Sequence, residues 1–289
     1  MKLKGRVAII TGANQGLGEA IAIEYVRQGA GVFICARGKD KLSAVKEKLK
    51  NIAEKDQKIC AMVIDVSNET DTEKLIKTAL AEFNQVDILV NNAGVYGPKG
   101  PIEKINADDW VKTIEINLCG VFYCCKHIIA HMKKNNYGKI INLSGGGATA
   151  PLPFFSAYAA SKAGVVRFTE TLAGECSGFR IDVNSIAPGP LNTRLLDEVL
   201  STGPQVVGND FYEKALKQKK NGGVSLQVGV DLCIFLASSE SDGITGRLIS
   251  AKWDSWKSLP AHQPELSGSD IYTLRRIIPE DRGKKWDQL

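Results

Sequence analysis

The chain has 289 residues, which suits one large domain or two small ones, and its 44% apolar content leaves ample material for a buried core. A charged fraction of 24% and a net charge of +5 describe an ordinary aqueous surface, with no basic block interleaved with aromatics to grip nucleic acid. No unbroken apolar run approaches the roughly 18 residues that span a bilayer, so no membrane association is expected.

The first apolar run, residues 6–11, is too short for a signal-peptide core and leads straight into a structured motif, so a cytoplasmic location is expected. It reads as a strand, followed by TGANQGLGEAIA and a helix over 17–28. Gly12 permits a tight turn, Gly16 lets the backbone approach a diphosphate, and Gly18 allows close helix packing. With Asn14, Gln15 and Leu17 completing the loop, its N–H groups would meet phosphate at the favourable end of the helix dipole. Gly29 stands where a left-handed cap would close the helix. The second strand, 31–36, ends in VFICARGKD. An acidic residue there would hold a ribose and select NAD; instead Ala36 is followed by Arg37, whose planar fork suits a 2′-phosphate. NADP is therefore favoured over NAD, with Lys39 or Lys41 as assistants, against the plainer reading of Arg37 as a solvated surface residue.

A helix over 39–54 leads to a third strand, 59–65, where the Asp65 carboxylate can accept from an adenine amine and Val66 offers its backbone. After a helix over 69–83, the strand 86–91 runs into NNAG, where Asn91 and Asn92 would brace neighbouring strands and Ala93 and Gly94 would lie beside the cofactor. The next helix, 107–134, opens on Asn106 with Asp108 and Asp109 in its first turn. It carries His127 and His131, which have metal-ligand spacing but no adjacent Glu; a structural role is expected and no metal. Strand 139–143, helix 156–175, strand 181–187, helix 226–238 and strand 247–250 complete the pattern. Its strands are apolar on both faces, giving an α/β, Rossmann-type doubly wound parallel sheet of about seven strands with helices on both faces. One domain over 1–251 is expected, with 191–223 as a mobile substrate flap and 252–289 as a polar extension. The seven cysteines show no CxxC spacing and read as buried, reduced thiols.

The segment SGGGATAPLPFFSAYAASK carries the chemistry. Tyr158 and Lys162 are four apart on the predicted helix and share a face. A free phenol with a pKa near 10 is a poor base, and an adjacent ammonium lowering it by about three units supplies about 4 kcal/mol. The plainer alternative is a surface pair.

TGANQGLG, Asp65-Val66, NNAG, Asn117 in EINLCGVF, YAASK and APGPLNT occur in this order, and over about residues 5–250 the chain resembles the short-chain dehydrogenases/reductases. The resemblance implies that Tyr158 exchanges a proton with a substrate carbonyl or hydroxyl, that Lys162 also holds the nicotinamide ribose, and that Asn117 helps a water relay protons. It implies Pro188 and Gly189 turning beside the nicotinamide, Leu191 just beyond them, and Ile186 and Thr193 at the nicotinamide ribose and the carboxamide or diphosphate. It also implies a homodimer or homotetramer built through helices 107–134 and 156–175.

Two departures stand out. The family's substrate-orienting serine lies thirteen residues before the tyrosine, where this chain has Gly145; Ser144 is one earlier. Adjacent strand residues face opposite ways, so either a bulge delivers Ser144, the preferred reading, or Thr149, a glycine N–H or a substrate group replaces it. The family's usual Asp-Gly-Gly ending is also absent; here the chain continues through Trp253 and Trp256, which either line the substrate pocket or cover a subunit neighbour, or else pack the tail onto its own domain. The reading is an NADP(H)-dependent oxidoreductase of small-molecule carbonyls or secondary alcohols, with Tyr96, Phe154 and Phe155 among the pocket walls. The alternative is a catalytically silent NADP(H)-binding redox sensor.

Overall fold

The structure, a computed structural model, describes residues 1–286. Its strands are β1 (Val7–Thr11), β2 (Gly31–Ala36), β3 (Ile59–Val63), β4 (Ile88–Asn91), β5 (Gly138–Leu143), β6 (Ile181–Ala187) and β7 (Leu248–Ser250). They form one sheet in the order 3-2-1-4-5-6-7, and every neighbouring pair is parallel. The order reverses between β1 and β4, so the connections after these strands diverge and open a crevice at their carboxyl ends.

The helices are α1 (Gly16–Arg27), α2 (Lys39–Ile52), α3 (Glu69–Phe83), α4 (Ala107–Ile114), α5 (Gly120–Asn135), α6 (Ser156–Glu175), α7 (Arg194–Thr202), α8 (Pro204–Val207), α9 (Asn209–Asn221), α10 (Leu226–Ala237) and α11 (Gln263–Ser267). They build an apolar layer on each face of the sheet. Ala8 and Ile10 of β1 pack among α1, α2 and α10, whereas Val7 and Ile9 pack on the opposite side with α3, α5 and α6. That alternation is why the strands are apolar throughout: neither face meets water. Capping follows the sequence, with Asn106 Oδ1 accepting from the Asp109 N–H at 3.0 Å and Gly29 at a φ of 92°.

Two regions differ from expectation, and the tail takes one of the courses open to it. The helix expected over 107–134 is divided by a π-helical turn, Glu115–Cys119, between α4 and α5. Asn117 sits in that turn and ties it to the main chain of Val95, so a single wide turn reaches a neighbouring loop. The span Ala107–Asn135 is also long and apolar enough by composition to cross a membrane, which the absence of an unbroken apolar run had obscured; here Ile116, Val121, Cys124, Cys125, Ile128 and Met132 lie in the core under the sheet. Segment 191–223 is helical over α7, α8 and α9 rather than an irregular flap. Gly203 and Gly208, at φ of 87° and 81°, mark the junctions and made the stretch read as a loop. Finally, the tail folds back. Arg247 is buried at β7 and donates to the carbonyls of Leu266, Ser269 and Ile271, while the Leu248 N–H donates to the Tyr272 carbonyl on the free edge of β7.

Candidate active site

One cavity of about 1150 Å³ opens along the carboxyl ends of the strands, and the expected glycine-loop residues, Arg37, Asp65, Asn92, Ala93, Gly94, Ser144, Tyr158, Lys162 and residues 188–193 line it, whereas Asn117, Ile186, Phe154 and Phe155 do not. At one end lies the glycine loop. Gly12 has a φ of 64°, and a Cβ there would stand 2.8 Å from the Ala93 Cα, so the turn admits only glycine. A Cβ at Gly18 would stand 2.6 Å from the Gly12 carbonyl, which is how closely α1 packs under its own loop. The loop is braced by NNAG. Asn92 Nδ2 donates to the Thr11 and Gly12 carbonyls at 2.9 and 3.1 Å, and the N–H groups of Asn92 and Ala93 both donate to Thr11 Oγ1 at 3.0 Å. Asn91 instead faces β5, donating to Asn142 Oδ1 at 2.9 Å. Nothing from the side chain of Gln15 caps α1, so its first-turn N–H groups stand ready for an anion. Thr193 lies over this loop, its methyl 3.7 Å from where a Gly16 Cβ would be. This loop fits a dinucleotide.

Beyond β2 and β3, Arg37 is more than half exposed and stands 3.8 Å from the Asp65 carboxylate. Burial pushes the Asp65 pKa upward, but hydrogen bonds from the Ser67 hydroxyl and N–H, with Arg37 nearby, outweigh it and hold the group below its usual value. Lys41, one of the expected helpers, is committed to Gln15 Oε1 at 2.9 Å.

At the other end, α6 presents Tyr158 and Lys162 on one face. Lys162 is buried, its Nζ donates to the Leu143 carbonyl at 2.7 Å, and it lies 5.7 Å from the Tyr158 ring centroid. Burial pulls its pKa down to about 8. The Tyr158 pKa moves opposite to the sequence expectation. Burial, then the adjacent Tyr96 phenol, raises it above the ordinary tyrosine value, while the Lys162 ammonium is engaged on the Leu143 carbonyl. Tyr158 is thus a held proton, an acid in waiting. Asn117 lies behind the cavity wall, fully buried. Its Oδ1 accepts from the Val95 N–H at 2.9 Å, and its Nδ2 donates to the Val95 carbonyl at 2.9 Å and Ser161 Oγ at 3.0 Å.

Ser144 lines the cavity but its hydroxyl donates to the Lys162 carbonyl at 3.2 Å. The residue against the Tyr158 hydroxyl is Gly145, where a Cβ would fall inside contact distance of the phenol oxygen. The strand therefore keeps its register and turns the serine to the helix backbone, against the preference for a bulge. Ile186, expected at the nicotinamide ribose, is fully buried in the core because β6 turns it under the sheet. Phe154 and Phe155 do not line the cavity either. Phe155 lies fully buried behind it, stacked on Tyr96 at 5.3 Å and Phe211 at 4.7 Å, while Phe154 is turned outward by a φ of 70°.

Tyr96, Leu152, Leu196, Val199 and Phe211 close the apolar side of the cavity. Sequence reasoning missed Asp254, Tyr272 and Thr273, which reach the cavity from the tail beside Trp253. No local signal marks them, since only the fold-back places them there. Trp256 instead is buried on Phe235 of α10, ring centroids 5.3 Å apart.

A parallel doubly wound sheet with a glycine loop at one end of its crevice and a Tyr–Lys pair at the other defines a nucleotide-dependent oxidoreductase in outline. Residues 6–203 match the short chain dehydrogenase family, and the chain belongs to it. It is 38% identical over 192 residues to 3beta-hydroxysteroid dehydrogenase 1 of Eggerthella lenta, covering 66% of this chain and 72% of that one. It is 32% identical over 195 residues to 2-dehydro-3-deoxy-L-rhamnonate dehydrogenase (NAD(+)) of a Sphingomonas species, covering 68% and 76%. Levodione reductase has a similar structure, with a TM-score of 0.79 at 26% identity, covering 90% of this chain and 99% of that one. The chain is an oxidoreductase of the CH–OH/C=O class with a nicotinamide cofactor, and the silent-sensor alternative gains no support.

Proposed function

We propose that the protein is an NADP(H)-dependent reductase or dehydrogenase of a small, largely apolar carbonyl compound or secondary alcohol. The observation that carries this reading is that Tyr158 and Lys162 share one cavity with the glycine loop and Arg37. Gly12, Gly16, Thr193 and the start of α1 would hold the diphosphate, and Pro188, Gly189 and Leu191 would border the nicotinamide, which when bound supplies or accepts the hydride. Arg37, beside Ala36 with no acidic residue at the end of β2, would take the 2′-phosphate; Asp65 and Val66 would border the adenine.

Tyr158, a neutral phenol at neutral pH, passes its proton to the substrate oxygen in reduction, and Lys162 restores it. Asn117 holds the π-helical turn and the Val95 loop against α6. Ser144 is read as a positioning residue that fixes the helical turn carrying Lys162. The apolar wall favours a substrate with a hydrophobic body. A homodimer through α4, α5 and α6 is supported by Val111 and Phe122, half-exposed apolar side chains on two of these helices. Seven unpaired thiols fit a cytoplasmic, reducing compartment.

The test is NADPH and NADH oxidation against a carbonyl panel. Tyr158→Phe is expected to abolish turnover with NADPH binding retained, and Arg37→Ala to weaken NADPH about tenfold or more while leaving NADH unchanged. Equal losses for both cofactors would refute the 2′-phosphate role.

A further inference from the structure

We infer that Tyr96 is the second hydrogen-bond donor to the substrate oxygen, filling the office left vacant at Gly145. The inference rests on the reading of Tyr158 as the proton donor and names a residue of the same site.

An oxyanion forming beside Tyr158 needs a second donor, because negative charge collecting on the substrate oxygen in a partly buried site is stabilised chiefly by groups already aimed at it. The two hydroxyl candidates near position 145 do not supply one. Ser144 is committed to the Lys162 carbonyl, and position 145 has no side chain. Thr149 lies on the cavity rim and is exposed, a poor place to hold a charge. Tyr96 is differently placed. Its ring meets the Tyr158 ring edge-on with centroids 4.6 Å apart, and Phe155 backs it at 5.3 Å, so its two-torsion side chain is held by aromatic contacts. The preceding residue is clamped by Asn117 through both its N–H and its carbonyl, so the backbone carrying Tyr96 is braced. Among the described residues no group hydrogen-bonds the Tyr96 hydroxyl, and none hydrogen-bonds that of Tyr158; both residues line the cavity. A partly buried phenol without a partner gains most from a ligand oxygen. Burial raises the pKa of both phenols, and the Tyr96 phenol adds to the rise at Tyr158.

In reduction, the carbonyl carbon takes the hydride that a bound nicotinamide would supply, and the electron pair of the C=O π bond moves onto oxygen. The Tyr158 proton transfers to that oxygen, leaving a phenolate that Lys162 reprotonates. Tyr96 keeps its own proton and donates throughout, a role that persists in the reverse direction, when Tyr158 is first deprotonated and the alcohol oxygen then gives its proton to the phenolate.

The experiment is Tyr96→Phe, which retains the ring and its packing, beside Tyr96→Leu, which removes them. Steady-state reduction is measured with acetophenone, cyclohexane-1,2-dione and ethyl acetoacetate. Calorimetry follows binding of the best of these ketones to the enzyme loaded with NADP+, a pairing in which no reduction can occur. Tyr96→Phe is expected to lower kcat by about 100-fold and weaken the ketone about tenfold, with NADP+ affinity and thermal midpoint unchanged. A kcat within about twofold of wild type, with ketone binding preserved, would overturn the inference and move the role to the N–H groups of Gly145 and Gly146. A purely structural role predicts the opposite pattern, Tyr96→Leu damaged in stability and Tyr96→Phe intact. If Tyr158→Phe still turns over, the underlying reading fails, and that failure is seen independently of any effect at Tyr96.

Discussion

Lys162 is a fully buried ammonium whose hydrogen bond to the Leu143 carbonyl replaces only part of its lost hydration. Its folded pKa of about 8 lies below the 10.5 of a free lysine, so the fold disfavours its charged form. Between those values the unfolded chain binds more protons, and stability therefore rises with pH across that window; below about 8 the full cost is carried. In cofactor-free protein, Lys162→Met is expected to gain about 2 kcal/mol at pH 7 and to flatten this rise, while turnover is lost. Denaturant unfolding at pH 7 and about 9.5 checks both statements. The sequence identified Tyr158 and Lys162 by their spacing, but predicted a lowered phenol pKa. Spacing along a helix says which side chains share a face; it does not say that the ammonium will prefer a strand carbonyl.

At the scale of elements, β5 and β6 are bolted at the end of the sheet away from the cavity. Lys139, buried at the start of β5, donates to Asp182 of β6 at 2.6 Å and pairs with Asp242, in the turn before β7, at 2.7 Å. Burial raises the Asp182 pKa despite its cationic partner, so the pair is held at a desolvation cost. Lys139→Met, leaving Asp182 buried without its cation, is expected to cost about 3–5 kcal/mol, and the double variant Lys139→Met, Asp182→Leu to recover much of it. Turnover per folded molecule is expected to stay unchanged in both, measured by activity after urea titration fixes the folded fraction. Nothing in KIINL or IDVNSIA announces this bolt, because parallel register alone sets Lys139 beside Asp182. The helices of 191–223 were hidden similarly. Leu196, Val199 and Leu200 have helical spacing, but the run is short and bounded by glycines, and its helicity becomes profitable only against Tyr158 and Phe155.

For the whole molecule, the tail forms part of the cavity wall through Trp253, Asp254, Tyr272 and Thr273. It is anchored through Arg247 to three carbonyls, through the Leu274 N–H to Glu170 Oε1 at 2.6 Å, and through Trp256 buried against α10. Truncation after Ala251 strands the Arg247 guanidinium and empties the Trp256 site, with an expected loss of about 5 kcal/mol. Arg247→Met, which removes one of the three anchors and loosens the tail while leaving the chain whole, is expected to raise KM for the carbonyl substrate with NADPH affinity preserved. An unchanged KM in a folded Arg247→Met protein would show that the Arg247 anchor does not position the substrate wall.

Local pattern by itself determined the doubly wound sheet, the phosphate loop, and the Tyr158–Lys162 pair, because glycine turns, apolar strands and i, i+4 spacing depend only on neighbours in the chain. It did not determine where the Ser144 hydroxyl points, that Tyr96 rather than Phe155 faces the cavity, or that Tyr272 returns to it. These are decided by which surfaces meet once the sheet has closed its two apolar layers, and contacts between residues distant in the chain leave no periodic trace in it.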